Sequence, residues 1–112
     1  MNTHDARDAK NDIVAVAEAM IAGQMPLIEG ARRLCDLRHK IGASDSPLFD
    51  PIVGFEEETS DYPTDSRREL YSKKLLAEID QEIQSYVSDA RLSVISDCTK
   101  IIAAMRINST DS

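Results

Sequence analysis

Cysteine, histidine and aromatic residues are all scarce in this chain. Its 112 residues hold two cysteines, two histidines and no tryptophan, and aromatics make up 4%. Cys35 and Cys98 are too few for a disulfide scaffold, and no C-x-x-C spacing is present for zinc or redox chemistry. No apolar run approaches the ~18 residues that a membrane span requires. Met1 to Asp12 is polar and acidic and does not read as a signal peptide. Thirteen Lys and Arg against twenty Asp and Glu leave a net charge of −7, which disfavours a nucleic-acid surface. The enzyme signatures are missing as well. There is no phosphate-cradling glycine loop, no H-E-x-x-H and no G-x-S-x-G. What remains is one domain with one modest core, expected to be cytoplasmic, with no membrane, nucleic-acid or cofactor partner.

The charge is concentrated in one place. From Ala43 to Ser66 there are seven acids (Asp45, Asp50, Glu56, Glu57, Glu58, Asp61, Asp65) and no Lys, Arg or His. Outside those 24 residues the charges balance at thirteen of each sign. The same stretch holds three of the four prolines and both phenylalanines, Phe49 and Phe55. Acids mixed with Phe, Ile52, Val53 and Tyr62 do not have the composition of a solvating tail. They predict a long ordered loop, pinned by apolar residues, that holds its carboxylates outward. Asp45, Asp50, Phe55, Glu56, Glu57, Glu58, Asp61 and Tyr62 are the candidate partner-binding residues on it.

Helical periodicity flanks this loop. Ala6, Ala9, Ile13, Ala17 and Met20 form one stripe, with Thr3 or Asp5 as a cap and Gly23 as a stop. Leu27, Ala31, Leu34, Leu37 and Ile41 form a second, opened by Pro26 and closed by Gly42. The short link between them predicts an antiparallel hairpin. After the loop, Asp65 or Ser66 with Glu69 suggests a capping box. The stripe Leu76, Ile79, Ile83, Val87, Ala90, Val94, Cys98, Ile101, Met105 then keeps one phase, with no Pro or Gly to interrupt it. A helix that long exceeds a small domain. Either it breaks in the Ser-rich region Ser85 to Ser96, which we expect, or one end projects to pair with a second copy as a homodimer. The fold class is all-α: a helical hairpin packed on a long C-terminal helix.

Several constellations have plainer readings than catalysis. Cys35 and His39 share a helix face as a nucleophilic pair would, yet a small buried thiol is the simpler account. Glu56 to Glu58 with Asp61 suggest a carboxylate–metal hydrolase, but an EF-hand loop needs alternating acids and a central glycine that this stretch lacks. The basic residues Arg32, Arg33, Arg38, Lys40, Arg67, Arg68, Lys73 and Lys74 are read as neutralising the acidic stretch within the molecule.

Two segments, IEGARRLCDLRHKIG from Ile28 to Gly42 and DPIVGFEEETSDYPTDSRRELYSKKL from Asp50 to Leu75, resemble a family of short bacterial proteins built on an uncharacterised helical domain. LAEIDQEI, from Leu76 to Ile83, continues the likeness. The family pattern falls on Arg33-Leu34, on Glu57-Thr59-Pro63 and on Arg67 or Arg68. It carries no catalytic residue. Proteins of this kind are similar to the immunity proteins that protect bacteria from their own toxins. The resemblance therefore implies an inhibitor of a cognate toxin domain, of a basic nuclease type, engaged through the acidic stretch. The other readings are a generic helical interaction module and the metal hydrolase.

Overall fold

In the computed structural model the described residues form four α-helices: α1 (Thr3–Ile21), α2 (Leu27–Lys40), α3 (Asp50–Thr59) and α4 (Lys73–Thr110). Short 3-10 segments cover Pro47–Phe49 and Asp65–Leu70. The structure describes residues 3–63 and 65–110, with side chains over 7–63 and 67–107. The proposed caps of the first and third helices, Thr3, Asp5, Asp65 and Ser66, and Ala6 of the first stripe have side chains outside the described residues. The all-α class and the hairpin on a long C-terminal helix are both present.

α1 is the central element, packed against α2 on one side and α4 on the other. Its stripe supplies Ala9, Ile13, Ala17 and Met20, all buried. Gly23 ends it at φ 76°, a conformation that costs glycine nothing, and the Gln24 N–H closes onto the Ala19 carbonyl at 2.9 Å. On α2, Ala31 and Leu34 are fully buried, while Leu37 and Ile41 lie half-buried at its far end. Gly30 faces Met20 so closely that a β-carbon would collide with the methionine side chain. That glycine sets how near the two helices come.

The long acidic loop is corrected by the structure: ten of its residues are α3. The prolines that suggested a loop stand where helices accept them. Pro47 opens the 3-10 turn and Pro51 lies in the first turn of α3, where a missing N–H has no helical partner to lose. Phe49, Ile52, Phe55 and Thr59, spaced by three and four, bury one face. Thr59 satisfies its hydroxyl by donating to the Phe55 carbonyl at 2.9 Å.

The expected break in the last helix is also absent. α4 runs unbroken for 38 residues along a molecule of 52 × 28 × 24 Å. Serine costs a helix only a few tenths of a kcal/mol per residue, too little to interrupt one that is packed elsewhere. α4 starts later than the sequence suggests, after Ser72, whose Oγ accepts the Leu75 N–H at 3.2 Å. Its second half buries Val94, Cys98, Ile101, Ile102 and Met105. Its first half meets α3 instead, and is only half-covered.

Candidate functional site

The acidic residues of interest sit where α3 ends and crosses the first half of α4. Consecutive helical residues are about 100° apart, so Glu56, Glu57 and Glu58 fan around α3 and do not project as a single tip. Glu56 and Glu57 lie on the α2 side, near enough that their charges help to raise the Cys35 thiol. Glu58 turns to α4, where it accepts a hydrogen bond from the Tyr86 hydroxyl. Tyr62, in the turn after α3, lies near Glu82 of α4. The Tyr86–Glu58 bond, with this second approach beside it, clasps the two elements. The bond to Glu58, with burial and the carboxylate charge behind it, pushes the Tyr86 hydroxyl up to about 12. Tyr62 is raised too, first by burial and then by the charge of Glu82.

Beside this clasp the surface of α4 forms a depression of about 490 Å3, lined by Glu78, Gln81, Glu82, Ser85, Tyr86 and Asp89. Its charged residues are all acids. The same sign continues onto the end of α3, which is where a helix already carries the negative end of its dipole. Acids there oppose local stability by roughly 0.3–1 kcal/mol each. From the basic set, Arg32 of α2 reaches the end of α3 and donates to the Thr59 carbonyl at 3.2 Å. Arg33 pairs with Glu29 at 3.6 Å, and Arg68 makes a two-pronged bond to Asp80 at 2.7 and 2.8 Å, both outside the acidic stretch.

The remaining candidates scatter. Asp45 is exposed in the turn beyond α2, and Asp50 is exposed at the positive end of α3, where it favours the helix itself. Asp61 is exposed next to Tyr62. Phe55 is not on the surface. It is 6% exposed and stacks on Tyr86 with ring centroids 5.8 Å apart, because its spacing from Ile52 places it on the core face. It holds the clasp together from within. The sequence reading missed Glu78, Glu82, Tyr86 and Asp89. Their steps of four, four and three along one helix were the available signal.

Nucleophilic and metal chemistry find little footing. His39 Nδ1 pairs with the Ser44 hydroxyl at 2.5 Å and not with Cys35. Desolvation, foremost, raises the Cys35 thiol, the wrong direction for a nucleophile at neutral pH. Among the described residues no three His, Cys, Asp or Glu side chains are grouped to hold a metal ion, so the hydrolase reading gains no geometric support. No helix of the described residues is long and apolar enough to cross a membrane.

Residues 1–101 match the model of a family described as a protein of unknown function, DUF2489. The chain belongs to this family. The DUF2489 match takes in α1 to α3 and α4 through Ile101, so the clasp and the acidic depression lie inside the family's domain. It extends the likeness seen in the middle of the chain and says nothing of toxins or immunity. No curated protein and no solved structure matches the chain.

Proposed function

We propose that this chain is a non-catalytic binding module that receives a cationic protein surface where α3 ends on α4, and that blocking a cognate toxin domain is the form this binding takes. One observation carries the reading. Glu56, Glu57 and Glu58 stand at the negative end of α3, against their own helix dipole, and Glu58 bonds Tyr86 in the wall of the acidic α4 depression. Such an arrangement is unfavourable for the free protein and favourable once a cation arrives. Concentrated charge of one sign also speeds encounter with an oppositely charged partner, by about 10- to 10³-fold at low salt. The immunity role draws on the family resemblance and on the small acidic helical form.

The test is affinity capture from the native host, comparing the natural chain with Glu57→Gln/Glu78→Gln/Asp89→Asn, which spares the Tyr86–Glu58 bond. A basic protein captured by the first and lost by the second at moderate salt is the expected result. Equal capture by both overturns the acidic-surface reading. Co-expression separates the finer claim. A captured protein that is toxic alone and harmless with this chain supports immunity, whereas a harmless one leaves a generic interaction module.

A further inference from the structure

The apolar residues at the start of α4 have no account in the acidic reading. Leu70 is 82% exposed, Tyr71 38% and Leu75 42%. Single exposed leucines are ordinary, but these three fall within six residues of chain, directly ahead of the acids of α4. Leu75, Glu78, Glu82, Tyr86 and Asp89 follow one another at steps of three and four, so they fall on one face of α4, and Tyr71 stands just ahead of the helix. From Leu75 to Asp89 that face is apolar at its first turn and carries acids over about the next three. This is fourteen residue steps, or roughly 21 Å at helical rise, and Tyr71 extends its apolar end.

Resting on the proposed cationic partner, we infer that this outer face of α4 seats an amphipathic basic helix of about eighteen residues, with its apolar residues at one end against Leu75 and its Lys or Arg residues along Glu78, Glu82 and Asp89. Charge complementarity selects the occupant. A second copy of this chain would bring the same three acids against themselves, and Lys74 alone on that flank does not offset them. A basic helix meets every acid at matching spacing, since both partners repeat at 3.6 residues per turn. The apolar end adds what charge alone does not: a desolvated anchor that fixes which way along α4 the partner lies. The Tyr86–Glu58 bond and the stacking of Tyr86 on Phe55 hold the floor of this seat to α3 in advance, so little ordering is required on binding.

The experiment uses the full chain and a synthetic eighteen-residue helical peptide. The peptide carries two Leu in its first turn and Lys at the following positions of the same face. Backbone amide shifts should map to residues 71–89 and to the end of α3. Leu75→Ser should weaken binding about tenfold and leave its salt dependence intact. Glu78→Gln/Asp89→Asn should flatten the salt dependence. If Leu75→Ser binds as the natural chain does, or if an all-Lys peptide without the leucines binds equally well, the anchored seat is wrong and the acidic reading survives. Shifts confined to Asp45, Asp50 and their neighbours also overturn the seat alone. A dimer of the natural chain that Leu75→Ser converts to monomer makes the occupant a second copy. No binding of the peptide even at low salt removes both inferences.

Discussion

From Val94 to Met105, α4 faces inward, with Val94 3% exposed and Cys98 and Ile101 fully buried. Earlier in the same helix the stripe continues in phase as Ile79, Ile83, Val87 and Ala90, but every one of these is only half-buried. The periodicity is the same and the depth is not. What differs is the neighbour: α1, with 19 residues, lies along the second half, whereas α3 supplies ten residues to the first. An apolar stripe thus tells which way a helix faces, while the length of what packs on it decides whether that face becomes core or surface. Here one helix provides both, a foundation and a platform.

The sharpest way to break that contrast is to place the same charge in each half. Val94→Asp buries a carboxylate with no partner, a cost of several kcal/mol in a domain holding roughly 5–15 kcal/mol, and should abolish the cooperative urea transition or bring it close to zero denaturant. Leu75→Asp, on the platform, should stay within about 0.5 kcal/mol of the natural protein, as should Ser93→Asp beside Val94. Equal losses at Val94 and Leu75 would mean that the first half of α4 is packed as tightly as the second.

A smaller effect is expected where α1 and α2 meet behind the foundation. Alanine favours a helix over glycine by about 1 kcal/mol, so Gly30→Ala would ordinarily stabilise α2. Here the added methyl collides with Met20, which is fully buried and has its sulfur 3.8 Å from that of Cys98. Overpacking of this kind costs about 1–3 kcal/mol, so the net change should be a loss of around 1 kcal/mol. Met20→Ala combined with Gly30→Ala should recover part of the collision term, read as non-additivity in thermal or urea melts.

The same contrast marks how far the residues alone could be read. The hairpin was legible because Gly23 and Gly42, both at positive φ, punctuate two clean stripes. α3 was not, although Phe49, Ile52, Phe55 and Thr59 already had helical spacing. Two prolines and a dense run of acids outweighed it, and both are compatible with a helix when the prolines fall in first turns. The unbroken α4 was not legible because a helix of that length exceeds the span expected of a small domain, whereas the molecule is 52 Å long. Of the candidate residues, Glu58 and Tyr62 lie where α3 meets α4, a helix junction where the sequence suggested a loop. The α4 acids did not stand out, because Lys73, Lys74 and Arg91 on the same helix balance them in any count of charge, and only a helical face separates them in space.

Cys98 offers a milder probe of the foundation. It is fully buried, and desolvation first, then the nearby Asp97 charge, pushes its thiol up to about 11. Cys98→Ala removes one buried sulfur and should cost about 1 kcal/mol. The raised value also fixes a sign. The folded state favours the neutral thiol, so its contribution is whole below the ordinary value of 9 and is lost as pH rises through about 11. Thiol reagents at pH 8 should therefore modify half-buried Cys35 well before Cys98. Equal rates would place Cys98 outside the packed half.

The smallest expected change lies at the clasp that ties the platform to α3. Tyr86→Phe keeps the ring stacked on Phe55 and deletes only the hydroxyl that donates to Glu58. Because the site is half-open to water, the loss at pH 7 should be below about 1 kcal/mol. Its pH dependence identifies it. Tyr86 is raised from 10 to about 12, so the folded state prefers the protonated phenol, and its contribution is complete below pH 10 and fades as pH climbs through about 12. Stability curves of Tyr86→Phe and the natural chain should differ at neutral pH and converge above that window. In an ultraviolet titration, the highest-titrating of the three tyrosines should vanish in the variant. If all three tyrosines of the natural chain ionise together near 10, the clasp is not closed in solution. The first half of α4 would then stand free of α3, and any partner seated on it would have to order the platform as it bound.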